Sequence, residues 1–174
     1  MPPRNPIVQV LLGVELFQGL PPLIVSEIAR QATHLTYRSG EMLVGAGDMI
    51  EGAILIQEGQ VISVSSSGTI PGDLLPPGSL INEMGMLVEI DSDATVFART
   101  DVTAVGLSRQ VILALVEAEP KLAEHFNQKI SARVARISSE LRHIDEMLAH
   151  LAEEQFPMRG EGSLVEPNEP RFLH

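Results

Sequence analysis

The chain has 174 residues, of which 44% are hydrophobic and only 3% aromatic, so it can bury one core made of aliphatic side chains and methionine. Its formal net charge of −11 argues against nucleic acid and against an anionic membrane surface as partners, because affinity for phosphate groups comes mainly from Lys and Arg. It contains no cysteine, which excludes thiol catalysis, disulfides and Cys-ligated metal sites. Without a signal-peptide pattern or an apolar run of about 18 residues, the composition predicts a soluble, cytoplasmic protein.

Residues 1–32 predict two short helices. The apolar stretch from Val8 to Leu16 favours the first helix, and the sequence Gly-Leu-Pro-Pro at 19–22 interrupts it. Because proline is common in the first turn of a helix, we expect the second helix to begin at these prolines.

From Thr33 onward the hydrophobic period changes toward two, which is typical of strands. Six short segments rich in Val, Ile and Thr follow between turn residues: HLTY, EMLVGAG, AILIQEG, QVISVSS, ATVFAR and VTAVGL. Ser-Ser-Ser-Gly at 65–68 and Pro-Pro-Gly at 76–78 are typical of turns. Residues 33–107 therefore predict a mainly β fold, a double-stranded β-helix or jelly roll, flanked by helices.

Helix is predicted again over residues 108–155, with Ser108 as the N-cap of a short helix and Pro120 at the start of a long one over 120–152. On the long helix, apolar residues alternate spacings of four and three, which is the a/d pattern of a coiled coil. This apolar seam consists of Ile130, Val134, Ile137, Leu141, Ile144, Leu148 and Leu151. It predicts a homodimer, and the alternative is an amphipathic helix packed on its own domain. Polar residues with Pro and Gly predict a disordered tail at 156–174.

Short motifs spread over roughly residues 14–152 follow one another at a characteristic spacing. They are Leu16-Phe17-x-x-Leu20, Tyr37-x-x-Gly40-Glu41, Gly47-Asp48, Ile56-x-Glu58-Gly59-x-Val61, Glu83-Met84-x-Met86-Leu87 and Ala94-Thr95-Val96. Gly40, Gly47 and Gly59 stand where short strands must turn tightly, which glycine does without steric cost. Together the motifs resemble the cyclic-nucleotide-binding domain of the Crp/Fnr (catabolite activator) family, which implies a jelly roll followed by a long dimerisation helix.

The resemblance implies a ligand cassette at residues 78–96. In the family, a Glu of this cassette accepts a hydrogen bond from the ribose, backbone amides face the cyclic phosphate, and an Arg neutralises it. Here Glu83 falls on the ribose-binding Glu, Asn82 on a glycine, and Ser92 on the Arg. Asn is tolerable in place of glycine because it enters the left-handed region more readily than most residues. The candidate ligand-binding residues are Asn82, Glu83, Met84, Ser92, Asp93, Ser138 and Ser139, the two serines of the long helix being those that the resemblance places near the base.

The lost arginine predicts a degenerate phosphate site. A charge-assisted Arg–phosphate pair is worth about 1.5–3 kcal/mol, and Asp91 and Asp93 on either side of Ser92 add repulsion. No Lys or Arg stands between Gly40 and Thr95 to replace it.

We therefore expect a non-catalytic regulatory or scaffold module that acts as a dimer with a protein partner. We expect no bound cofactor, no standard cAMP or cGMP binding, and no DNA binding, because the residues after Ala152 are too few and too acidic for the helix-turn-helix of the family. The alternative is a genuine sensor of cAMP, cGMP or a cyclic dinucleotide that signals through a protein partner. It would need a cation from elsewhere, such as Arg99, or Arg142 of a neighbouring chain.

Enzymes and metal sites have little support in the sequence. Jelly rolls also carry metal-dependent catalysis, but this needs several His and Glu on adjacent strands, and only His34 lies in the strand region. His143, Met147 and His150 share one stretch of the long helix, at c and g heptad positions that are mostly solvent-facing. We therefore expect no catalytic residue and no metal.

Overall fold

The computed structural model describes residues 5–66 and 72–155, with side chains described as far as Ala152. The chain divides into two compact units, residues 1–130 and residues 131–174. The helices are α1 (Pro6–Gly13), α2 (Pro22–Gln31), α3 (Arg109–Ala118) and α4 (Pro120–Gln155), and two 3₁₀ helices cover Glu15–Phe17 and Glu83–Met86. The strands are β1 (Thr33–Tyr37), β2 (Met42–Val44), β3 (Met49–Ile50), β4 (Gly52–Glu58), β5 (Val61–Ser65), β6 (Asp73–Leu75), β7 (Leu80–Ile81), β8 (Ile90–Asp91), β9 (Ala94–Ala98) and β10 (Val102–Ser108).

The N-terminal helices begin as their sequences predict. The side-chain oxygen of Asn5 accepts a hydrogen bond from the Ile7 amide at 3.0 Å, and Pro6 occupies the first turn of α1. Pro22 likewise begins α2. The predicted first helix differs in detail, because α1 ends at Gly13 and the next residues form the 3₁₀ helix Glu15–Phe17.

The strands of the first unit form two antiparallel sheets and a short ribbon. One sheet has the strand order β1-β10-β4-β7, the other β2-β9-β5-β6, and β3 pairs with β8. This is the jelly-roll architecture with flanking helices that the sequence predicts, and the expected fold is confirmed.

Strand alternation divides the apolar residues of the first unit between two cores. Ala53 and Leu55 of β4 face the helices, where they join Phe17, Ile112 and Phe126 in one buried cluster. The alternate positions of the same strand, with those of β2, β5, β9 and β10, fill the interior of the roll. That interior cluster consists of Val44, Ile50, Ile56, Val61, Ile81, Val96, Ala98, Val102 and Ala104.

Four of the strands were not predicted from the sequence. β3, β7 and β8 have two residues each, too few to show a period of two, and the fourth is the three-residue strand β6. Ser108 occupies the N-cap position of α3 as predicted, but its side chain makes no capping hydrogen bond.

Helix α4 begins at Pro120 as predicted and reaches Gln155. Ile130, the first residue of the predicted seam, is half-buried against the helical core of the first unit. The other six seam residues belong to the second unit and are 45–59% exposed. Within the described residues, no helix has the length and apolar content needed to cross a membrane. The predicted tail at 156–174 and the end of the predicted turn at 65–68 lie outside the described residues.

Candidate functional site

The cassette predicted at residues 78–96 folds as β7, a 3₁₀ helix, β8 and the start of β9. It begins at Gly78, whose φ of 89° requires a residue without a side chain. The Gly78 amide donates a hydrogen bond to the Ile56 carbonyl at 2.8 Å, which ties the entrance of the cassette to the central strand β4.

Asn82 is the N-cap of the cassette 3₁₀ helix and adopts the left-handed conformation, with φ 55° and ψ 43°. Among the described residues other than glycine, it alone has a positive φ. The resemblance predicts Asn82 at a position where the family has glycine, and asparagine enters the left-handed region more readily than most residues.

The cassette helix packs tightly on the β3–β4 region. A side chain added at the buried Gly85 would overlap the Ile50 side chain and approach the Gly52 carbonyl to 2.9 Å. Glu83 and Met84 are half-buried at the start of this helix.

Arg109, at the start of α3, makes hydrogen bonds to both the cassette and strand β3. One guanidinium nitrogen donates to the carbonyls of Ile50 at 2.7 Å, Val88 at 3.1 Å and Gly85 at 3.4 Å. The second terminal nitrogen of the guanidinium lies 3.8 Å from a carboxylate oxygen of Glu89. The side chain of Arg109 is only 16% exposed. Arg109 therefore satisfies carbonyls at the end of the cassette helix and holds this segment against α3.

No local sequence signal predicts this role of Arg109, because its hydrogen-bond partners lie 21 to 59 residues away along the chain.

Ser92, which the resemblance predicts at the position of the family's phosphate-binding arginine, is buried and only 5% exposed. Its hydroxyl donates to the Ala94 carbonyl at 2.8 Å. Its amide donates to the Asp48 carbonyl at 2.9 Å, and its carbonyl accepts from the Gly47 amide at 2.8 Å. The hydroxyl, the amide and the carbonyl of Ser92 are therefore all hydrogen-bonded within the surrounding turn.

The carboxylates that flank Ser92 differ from it in exposure. Asp91 and Asp93 are both exposed, so the surface around this turn is acidic. Arg99, the nearest basic residue along the chain, follows β9 and is also exposed.

The structure brings five of the seven candidate ligand-binding residues into one cassette. The remaining two, Ser138 and Ser139, are exposed residues of α4 in the second unit. Arg142 is also exposed on α4, where its Nε donates to the Ser138 carbonyl at 3.3 Å. A contact of these helix residues with a ligand stays a prediction.

A cavity of about 430 Å³ opens beside the cassette, between the ends of β1, β4 and β10 and the connection from β2 to β3. We call it the β1–β10 cavity. Asn82 is the one candidate ligand-binding residue among those that line it. Its volume lies within the usual range of small-molecule pockets, roughly 300–1,000 Å³.

Comparison with known proteins agrees with this geometry. Residues 34–119 match the model of the cyclic nucleotide-binding domain. The cyclic nucleotide-gated potassium channel mll3241 of Mesorhizobium japonicum is 29% identical over 120 residues, which are 69% of this chain and 33% of the channel. The chain thus spans about a third of the length of this curated relative.

Two solved structures share the fold. The N-terminal domain of a transcriptional regulator from Streptomyces coelicolor superposes with a TM-score of 0.69 at 21% identity, covering 76% of this chain and 94% of that one. A cyclic nucleotide-binding-like protein from Brucella abortus gives a TM-score of 0.57 at 21% identity, covering 64% of this chain and 97% of that one. Residues 34–119 of this chain are therefore a domain of the cyclic nucleotide-binding family.

Proposed function

We propose that this chain is a non-catalytic regulatory or scaffold module that acts as a homodimer and does not bind cAMP or cGMP. The observation that carries the proposal is Ser92, a buried serine with a committed hydroxyl where the family has its phosphate-binding arginine. Domains of this family are generally regulatory, so we expect this chain to control a partner protein even without binding a cyclic nucleotide.

Electrostatics around the cassette support the absence of cyclic-nucleotide binding. No Lys or Arg lies between Gly40 and Thr95 in the sequence, and Asp91 and Asp93 are exposed beside Ser92. Arg109 approaches the cassette, but its guanidinium is engaged with three carbonyls and lies near Glu89. A cyclic phosphate would meet carboxylates without a compensating cation, and loss of the Arg–phosphate pair alone costs about ten- to a hundredfold in affinity.

The homodimer is supported by the apolar seam on α4. Six aliphatic residues repeat at the coiled-coil spacing and remain 45–59% exposed in the single chain, which favours a second helix as their partner. The net charge of −11 supports a module that acts through protein contacts in the cytoplasm rather than through DNA or an anionic membrane.

The second candidate is a genuine sensor of a cyclic nucleotide. It is favoured by the relative named as a cyclic nucleotide-gated channel and by the half-buried Glu83 at the ribose-binding position. In this case a cation outside the cassette would have to neutralise the phosphate.

Calorimetric titration of the full chain with cAMP, cGMP and cyclic di-GMP separates the two candidates. We expect no dissociation constant tighter than about 100 μM for any of them, because the charge-assisted pair is absent. Micromolar binding of any of the three would replace the proposal by the sensor.

A rescue variant tests the reason for the lost affinity. Ser92→Arg combined with Asp91→Asn and Asp93→Asn supplies the cation and removes the repulsion, while Asn at position 91 keeps the backbone donor of the β3–β8 ribbon. We expect cAMP binding to become measurable, and the double Asp→Asn variant without Arg is the matched control. Adding Glu83→Ala to the rescue variant should abolish binding again.

A further inference from the structure

The β1–β10 cavity has a chemistry that differs from that of an anion site. Its apolar wall includes Leu35, Leu43 and Ile54, which are half-buried and pack against the interior core of the roll. The ring or alkyl body of a small molecule would therefore find a preformed aliphatic surface there.

The charged side chains that line this cavity are both acidic. Asp48 and Glu51 contribute carboxylates, and no Lys, Arg or His is among the described residues that line it. One carboxylate oxygen of Asp48 accepts a hydrogen bond from the Gly45 amide at 2.7 Å, which fixes the orientation of that side chain. Asn82, Thr33 and Ser108, which carry a carboxamide and two hydroxyls, also line the cavity.

The combination of an aliphatic wall and two carboxylates selects for positive charge. Both carboxylates belong to exposed residues, so they would repel an anion, whereas an ammonium group could donate hydrogen bonds to them directly. A metal ion fits less well, because within the described parts of the chain no group of three or more His, Cys, Asp or Glu could hold one.

We infer that the β1–β10 cavity binds a small organic amine, with its ammonium group at Asp48 and Glu51 and its apolar body against Leu35, Leu43 and Ile54. This inference rests on the proposed function in one respect: a module that has lost cyclic-nucleotide binding is here given a ligand of the opposite charge. The cavity shares Asn82 with the cassette, so a bound amine would contact the segment that Arg109 anchors.

Three probes with one shared ring system test the charge requirement. Tryptamine carries an ammonium group, indole-3-ethanol is neutral, and indole-3-acetate is an anion at neutral pH. In calorimetric titrations at low salt we expect tryptamine to bind about tenfold tighter than indole-3-ethanol, and indole-3-acetate to bind weakest. The differences in affinity between the three probes should become smaller at high salt, because salt screens carboxylates that are near the surface.

Two isosteric substitutions locate the ammonium group. Asp48→Asn with Glu51→Gln keeps an acceptor for the Gly45 amide and removes both charges, so tryptamine affinity should fall to that of indole-3-ethanol. The matched control is Glu41→Gln with Glu58→Gln, which removes two carboxylates from a different cavity and should leave tryptamine affinity unchanged. Thr33→Phe, at the exposed end of β1, tests the shape by filling the cavity, and should weaken tryptamine and indole-3-ethanol alike.

Amide chemical-shift mapping with tryptamine gives an independent location. We expect the largest shifts at Gly45, Ile54 and Gly106, on the segments that surround the cavity. Shifts centred elsewhere, equal affinity for tryptamine and indole-3-acetate, or no tryptamine binding would overturn the inference. Micromolar binding of cAMP in the separate cyclic-nucleotide titrations would overturn the proposed function instead, so the two failures are distinguishable.

Discussion

The first unit and the seam of α4 contain similar aliphatic residues, but these residues are buried in the first unit and exposed in the seam. In the first unit, Leu55, Ile56 and Val105 have no exposed surface, because helices cover one side of the sheet and a second sheet covers the other. On α4, Leu141 and Leu148 are 57% and 59% exposed in the single chain. The first unit thus completes its own core, whereas the seam leaves apolar surface exposed, which another helix would bury in the proposed homodimer.

Pattern as well as burial separates the two regions. Residues of β4 alternate between two cores with a period of two, so both faces of that strand are used within one chain. The seam of α4 repeats every 3.5 residues on a narrow stripe, which suits one partner helix rather than a broad domain surface. Ile130 marks the boundary between these behaviours, because it is half-buried against the first unit.

The largest effect is expected from placing charge in the seam. Ile137→Asp with Leu141→Asp would bury two carboxylates without partners in a coiled coil, which costs several kcal/mol and should raise the dimer dissociation constant on the order of a thousandfold or more. Sedimentation velocity at micromolar concentration should then show monomers. Ser139→Asp, on the outer face of the same helix, is the matched control and should remain dimeric. A monomeric unmodified chain at that concentration would contradict the proposed homodimer.

A core substitution in the first unit should affect folding and leave association intact. Phe17 has no exposed surface and meets Phe126 edge to face at a centroid distance of 6.2 Å. Phe17→Ala should lower the free energy of unfolding by about 3–5 kcal/mol, as large truncations in cores do. Phe97→Ala, at a side chain that is 36% exposed, should cost about 1 kcal/mol or less. Urea denaturation at one fixed protein concentration measures both, and equal costs would contradict the burial difference.

The cassette allows a smaller test, on backbone conformation alone. Asn82→Ala places an ordinary side chain at φ 55° and should destabilise the chain by about 1 kcal/mol, whereas Asn82→Gly should be within about 0.5 kcal/mol of the unmodified protein. Urea denaturation of the two variants gives the comparison. If Ala were tolerated as well as Gly, the left-handed conformation of residue 82 would be wrong.

Sequence reasoning reached the jelly roll, the long helix and the left-handed position at Asn82, because each depends on local signals such as period, proline or a glycine site. It missed β6 and also β3, β7 and β8, and the last three have only two residues each, too few to show a period. It also missed the cassette anchor Arg109, since donation to Ile50 and Val88 depends on chain segments that only the fold brings together. The burial of Ser92 could not be predicted for the same reason, because its backbone hydrogen-bond partners lie in the turn before β3, far away along the chain.

The smallest expected effect concerns a surface network on α2, which stabilises the first unit without burying apolar area. The carboxylate of Glu27 accepts hydrogen bonds from Arg30 at 2.6 and 3.0 Å and from Gln31 at 2.7 Å. These bonds, those from Arg30 first, lower the pKa of Glu27 from 4.5 to about 2. Because the folded-state pKa is the lower one, the stabilisation is present above pH 4.5 and is lost as the pH falls through that interval toward about 2.

Glu27→Gln should therefore melt slightly below the unmodified chain at neutral pH. The difference in melting temperature should stay constant down to about pH 4.5 and then narrow as the pH is lowered further, because the unmodified chain loses its ionised carboxylate interactions. Glu117→Gln, at another exposed helical glutamate, corrects for the general effect of removing one negative charge from an acidic protein. A difference that widens on acidification would show that the network with Arg30 and Gln31 does not stabilise the ionised form of Glu27.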